Sequence, residues 1–123
     1  MSQVYDVAII GAGSSGICAA IQLKKIGLEN FIILEKGNDV GGTWFWNRYP
    51  GAECDVQSHL YSFSFEPNPS WTQPFAGQQE ILTYLKHCAE KYELSKHLKF
   101  RCLVTDCNWS DEMTYWQLIS GED

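Results

Sequence analysis

The stretch that most restricts how this chain can fold is Val4 to Ile10 (VYDVAII) running straight into Gly11-Ala12-Gly13-Ser14-Ser15-Gly16. A short β-branched run ending at glycine reads as a strand buried on both faces, as in a parallel sheet. The pattern G-x-G-x-x-G carries weight only when it follows a strand and opens a helix. Here it does both, because residues 14 to 26 place Ile17, Ala20, Ile21 and Lys24 at helical spacing, with Gly27 where a left-handed C-terminal cap belongs. Phe31 to Leu34 is a second apolar strand ending at Glu35. Residues 4 to 35 therefore spell β-turn-α-β, the opening unit of a doubly wound α/β fold with a parallel sheet and a right-handed crossover.

Each glycine has its own task. Gly11 makes the tight turn, Gly13 lets backbone approach a pyrophosphate, and Gly16 lets helix and strand pack closely. The phosphate belongs on the helix N-terminus, where unpaired N–H groups and the helix dipole favour an anion. Glu35 lies nineteen residues after Gly16, at the end of the second strand, where a carboxylate accepts hydrogen bonds from ribose hydroxyls. The same charge repels a 2′-phosphate, which disfavours NADP here and leaves FAD or NAD. Gly41-Gly42, six residues beyond Glu35, suggests a second close backbone approach, since FAD needs more of a protein than NAD does.

Beyond that point the periodicity lapses. Residues 41 to 76 hold all four prolines and nine of the seventeen aromatic residues, so the segment is a long loop expected to pack as a satellite core. Residues 78 to 92 place Ile81, Leu82, Leu85, Cys88, Ala89 and Tyr92 on one face, an amphipathic helix expected to cover one face of the sheet. Leu98 to Val104 and Thr114 to Ile119 read as strands of a small β-meander, joined by a polar turn around Ser110 to Glu112. The sequence stops at Gly121-Glu122-Asp123 with no later strand to flank the first one, as a doubly wound sheet requires. The expectation is a single FAD-binding domain over 1–123 that forms the front part of a longer protein.

Composition removes several classes. A net charge of -6 disfavours nucleic acid or an anionic membrane surface as partner. Residues 102 to 123 hold five acids and no base. Five cysteines with no C-x-x-C pair fit neither a disulfide scaffold nor a zinc site, and point to a reducing, cytoplasmic setting. The apolar run at the N-terminus is far too short to span a bilayer, and no secretory signal or membrane span is expected.

The segment GGTWFWNRYPGAECD contains Gly41-Gly42-Thr43-Trp44, Arg48-Tyr49-Pro50-Gly51 and Cys54-Asp55. It resembles the flavin-side motif of class B flavoprotein monooxygenases, and within them the Baeyer-Villiger branch. The shorter GGxW is shared with N- and S-oxygenating relatives, whereas RYPGxxCD is more specific. The resemblance implies that Gly11, Gly13, Ser14 and Gly16 cradle the FAD pyrophosphate, that Glu35 takes the adenosine ribose, and that Lys36 lies at the edge of that site. It implies Gly42, Thr43 and Trp44 for the flavin half and Val104 for adenine, through its backbone. It makes Asp55 the one catalytic residue, lying near the flavin and orienting an active-site arginine. That arginine is not among these residues, because Arg48 lies inside the motif and Arg101 on a strand. The family's NADPH fingerprint and the strand that flanks the first are missing too. In the family NADPH reduces FAD, and a C4a-peroxyflavin formed with O₂ inserts oxygen into a ketone. The 123 residues alone are therefore expected to be inactive.

Other residues invite chemistry without supporting it. His59, His87 and His97 have no ligand-spaced partners and read as surface or helix-face residues. Cys54 is no flavin-side disulfide partner, since the C-x4-C spacing puts His59 at its mate's position, and Cys102 and Cys107 read as packing residues. Two other readings stand beside the monooxygenase: a non-catalytic dinucleotide-binding module, and an N- or S-oxygenating flavoprotein.

Overall fold

The computed structural model describes residues 3–121. Strands β1 (Val7–Ile10) and β2 (Phe31–Leu34) lie parallel, Val7 opposite Phe31 through Ile10 opposite Leu34. β3 (Leu98–Lys99) adds to the far side of β2, so the sheet order is β1-β2-β3. Helix α1 (Ser14–Lys25) connects the first two strands. Gly27, at φ +80°, ends that helix in the left-handed cap, its N–H donating to the Lys24 carbonyl while Leu28 N–H reaches the Leu23 carbonyl.

β1 is shorter than the expected Val4 to Ile10 and is not buried on both faces. Val7 and Ile9 are half-buried, Ala8 is exposed and Ile10 is 58% exposed. The reason is that β1 is an edge strand among the described residues, with α1 against it on one face only. β2, flanked on both sides, buries Phe31, Ile33 and Leu34.

Helix α2 (Thr43–Trp46) is a single turn inside the aromatic segment, and a 3-10 turn forms at Ser58–Leu60. Phe63, Phe65 and Trp71 pack half-buried against the core. Helix α3 (Gln78–Lys91) supplies the other side of that contact, burying Ile81, Leu82, Tyr84, Leu85, Cys88 and Ala89, and it packs against α1 and α2. Tyr84 pins the loop: its hydroxyl accepts from Phe63 N–H at 2.8 Å and donates to the Glu66 carbonyl at 2.7 Å. The Glu66 carboxylate accepts from Lys91 Nζ at 2.6 Å and Tyr92 Oη at 3.1 Å. The expected satellite core is thus joined to the main one.

The expected strand from Leu98 to Val104 is broken in two. After Lys99 the chain turns at Arg101, at φ +52°, and leaves the sheet. Arg101 N–H donates to the Gly37 carbonyl and Cys102 N–H to the Glu35 carbonyl, so the turn after β2 draws the backbone aside. The meander is a two-stranded antiparallel hairpin of β4 (Leu103–Ser110) and β5 (Tyr115–Gly121), with a register shift between Val104 and Asp106. Glu122 and Asp123, where the sequence was expected to stop without a further strand, lie outside the described residues. His97 also departs from expectation. It is 7% exposed and stacked on Phe31 at 3.8 Å, its Nδ1 3.1 Å from the Phe31 carbonyl, because the first residue of β2 offers it both an apolar ring and an acceptor.

Candidate dinucleotide site

At the N-terminus of α1 the first-turn amides have no intrahelical partner. Gly13 is the N-cap residue, in extended backbone, and no side chain caps the helix there. The first turn carries no acid, so nothing on it opposes a bound anion. Gly11, at φ +96°, turns the chain out of β1. Gly16 packs so tightly beneath it that a Cβ at this position would lie 2.0 Å from the Gly11 carbonyl oxygen. The requirement for glycine there is steric and comes from backbone, which cannot yield as a side chain can.

Glu35 is 4% exposed and its charge is met by main chain. Oε2 accepts from Ala12 N–H and Oε1 from Gly37 N–H, both at 2.7 Å. Burying a carboxylate is expensive unless it is hydrogen-bonded, and these two donors meet that demand. Each carboxylate oxygen has a second lone pair, leaving capacity for a ribose hydroxyl. Glu35 is therefore also a strut that ties the fingerprint turn to the turn after β2.

The second glycine pair folds onto the first. Gly41 N–H donates to the Ala12 carbonyl at 2.9 Å, and a Cβ on Gly42 would come within 2.8 Å of the Gly13 Cα. The pair serves contact between two glycine turns as much as approach to a ligand. Together they edge a cleft of about 410 Å³. Of the residues expected at the site, Gly11, Gly13, Glu35, Lys36, Gly42, Thr43 and Val104 line this cleft. Gly16 lies beneath the turn, and Ser14 is exposed on the first turn of α1. Trp44 is not among the lining residues; its Nε1 donates to Tyr61 Oη at 3.0 Å and its carbonyl accepts from the Gln78 amide. Asp55 is exposed, beyond the residues that line the cleft.

Sequence reasoning missed Ile10, Leu34, Trp46, Asn47, Cys102 and Leu103, which complete the lining. Trp46 was concealed by its neighbour: in a single helical turn, residues two apart face different ways, so only one tryptophan of Trp44-Phe45-Trp46 meets the cleft. The hydrogen bond from Lys91 holds the Glu66 carboxyl below its ordinary value, and burial raises the Tyr84 hydroxyl. No cluster of three or more metal-ligating side chains occurs among the described residues, and no described helix is long and apolar enough to cross a membrane.

Comparison with known proteins places these features in a wider group. A family model described as an NAD(P)-binding Rossmann-like domain matches residues 9–77. The chain is 47% identical over 119 residues to a Baeyer-Villiger monooxygenase of Streptomyces coelicolor, covering 94% of this chain and 23% of that protein. It is 50% identical over 116 residues to a Baeyer-Villiger monooxygenase of Pseudomonas aeruginosa, covering 94% of this chain and 22% of that one. Among solved structures, that of OTEMO in complex with FAD and NADP superimposes with a TM-score of 0.90 at 33% identity, over 100% of this chain and 24% of that chain. The chain spans about a quarter of the length of the relatives it matches.

Proposed function

We propose that this chain, which belongs to the family of NAD(P)-binding Rossmann-like domains, is the FAD-binding N-terminal part of a Baeyer-Villiger type monooxygenase. Such an enzyme uses FAD, NADPH and O₂ to insert oxygen into a small-molecule ketone. The observation that carries the reading is the cleft itself, where two glycine turns meet at an uncapped helix N-terminus beside a buried, backbone-held glutamate. These residues fit a dinucleotide, with an anion at the helix end and a hydroxyl-binding carboxylate at the far edge.

Bound FAD would supply the redox and oxygen chemistry, and the protein supplies position and electrostatics. In this assignment the N-terminal amides of α1, with Gly11, Gly13 and Ser14, hold the pyrophosphate, and Gly16 holds the helix close enough to do so. Glu35 accepts from the ribose, with Lys36 at the rim and Val104 beside the adenine. Gly42, Thr43 and Trp44 belong to the flavin side. Asp55 is a positioning residue for an arginine supplied by the remainder of the enzyme, as is the NADPH site. The greater length of the relatives supports that division. Five unbridged cysteines support a reducing, cytoplasmic location.

The test is titration of the purified chain with FAD, NAD⁺ and NADP⁺. FAD should bind tightest and NADP⁺ weakest, and Glu35→Gln should weaken FAD roughly 10- to 150-fold, the range for a hydrogen bond to a charged group. Unchanged affinity in a folded Glu35→Gln protein would remove Glu35 from the site. The description of the matching family favours one second reading, a non-catalytic module for NAD, which would appear as NAD⁺ binding at least as tightly as FAD.

A further inference from the structure

We infer that the tryptophan-bearing face of the β4–β5 hairpin is a docking surface for a basic, partly apolar protein segment, one that sets arginine or lysine beside aliphatic side chains. The inference stands apart from the dinucleotide site and does not depend on which cofactor that site takes.

Three observations converge on it. The register pairs Trp109 with Trp116 and Cys107 with Leu118, and because side chains alternate along a strand these four share one face. That face is open: Trp109 and Trp116 are 48% and 62% exposed, Cys107 is exposed and Leu118 half-buried, and the turn beside them leaves Met113 55% exposed. Contiguous apolar surface of this kind marks an interaction site, where scattered single residues would not. Next, the ribbon is held in shape at this end. The Ser110 carbonyl accepts from Thr114 N–H at 2.8 Å and its Oγ from Met113 N–H at 3.2 Å, while Trp109 Nε1 donates to Asp111 Oδ1 at 2.9 Å. A carboxylate is thereby fixed at the edge of the tryptophan pair, and little freedom is left to lose on binding. Finally, the charge is one-sided. Residues 103–121 carry Asp106, Asp111 and Glu112, all exposed, and no lysine, arginine or histidine, whereas residues 1–101 hold ten acids against nine bases.

The charge selects the occupant. Exposed tryptophan suits a membrane interface, stacked nucleic-acid bases or a protein surface. Phosphates of an anionic membrane or a nucleic acid would be repelled by the three acids. A second copy of the hairpin would set the same acids against themselves. A basic segment gains from both features: an indole face attracts a guanidinium or ammonium, the Asp111 carboxylate completes an ion pair at its edge, and the aliphatic stems of the cations cover the rings.

The probe is a synthetic peptide of alternating arginine and leucine, with a glutamate–leucine counterpart as control. Both would be titrated into the purified chain, Trp116→Ser, and the double variant Asp111→Asn with Glu112→Gln, with circular dichroism confirming each fold. The arginine peptide should bind and its counterpart should not, with affinity falling as salt rises. Trp116→Ser should weaken binding about tenfold, as loss of an aromatic anchor does, and the double variant about threefold, with a flatter salt dependence. Bound peptide should also slow alkylation of Cys107 by iodoacetamide, read by mass mapping, and leave that of Cys18 on α1 unchanged. Absence of binding, equal binding of the two peptides, affinity within about twofold of wild type in a folded Trp116→Ser protein, or Cys107 alkylation that the peptide leaves unaltered would overturn the inference. If Trp116→Ser does not fold, the double variant and the Cys107 readout decide. Tighter binding to oligo-dT or to phosphatidylserine vesicles, self-association that shields Cys107, or a longer parent protein in which Cys107 is already shielded would each put a different occupant on the face and overturn it as well. FAD affinity, measured on the same samples, should be the same in Trp116→Ser and wild type, so that failure of the dinucleotide reading is told apart from failure of this one.

Discussion

Residues before and after Cys102 use the same kinds of side chain to opposite effect. Up to Cys102 the chain builds a core that gathers Ile17, Ile21, Ile33, Ile81 and Leu94 at full burial and draws the aromatic loop onto it. From Leu103 to Gly121 no residue is buried. Phe63, Phe65 and Trp71 meet α3, whereas Trp109 and Trp116 meet chiefly each other, edge to face at 5.6 Å, and remain 48% and 62% exposed. The lesson is that an aromatic run becomes a core only where a second layer opposes it, and a two-stranded ribbon has none of its own.

The largest effect that would sharpen this contrast lies in the first region. Gly16→Ala places a methyl 2.0 Å from a backbone oxygen, so helix and strand must separate. The expected loss is about 3 kcal/mol, the upper end of what overpacking costs. Urea denaturation would measure it, and a variant as stable as wild type would show that the helix–strand seam has slack.

Next in size comes the clamp that holds the aromatic loop on α3. Lys91 holds the Glu66 carboxyl below its ordinary value. Because the folded pKa is the lower one, the stabilisation is present above a glutamate's usual value of about 4.3 and fades as pH falls through the folded value. Melting temperature should drop with acidification in that window, and Glu66→Gln should be less stable at neutral pH yet flatter across it. An identical pH profile in the two proteins would mean that the clamp contributes nothing.

The smallest expected effect belongs to the hairpin. Trp116→Ser removes one ring of an exposed pair, and its stability change should stay within about 0.5 kcal/mol, as for surface substitutions without special contacts. A loss of several times that amount would show the hairpin to be part of the cooperative core, and the division at Cys102 would fail.

Part of the cleft is legible in the sequence. The strand, the spacing of Gly11, Gly13 and Gly16, the helix cap at Gly27 and the terminal acid at Glu35 are all local signals, fixed by backbone sterics within a few residues of each other. The double hydrogen bond that buries Glu35 was not legible, because Ala12 lies twenty-three residues away. Nor was the break after Lys99: Leu98 to Val104 has strand character throughout, and only the carbonyls of Glu35 and Gly37 pull Arg101 and Cys102 out of register. His97 read as a surface residue for the same reason, since nothing near it in sequence announces Phe31.

Sequence by itself determined the β-turn-α-β unit, the anion-ready helix end and the glycine and glutamate positions that edge the cleft, since each follows from short-range rules of chirality, capping and glycine freedom. Tertiary structure alone decided which tryptophan lines the cleft, that Gly41-Gly42 packs on the first glycine turn, and that the loop aromatics find a layer while those of the hairpin do not. Those outcomes depend on which distant surfaces come within van der Waals reach, and periodicity along the chain carries no record of that.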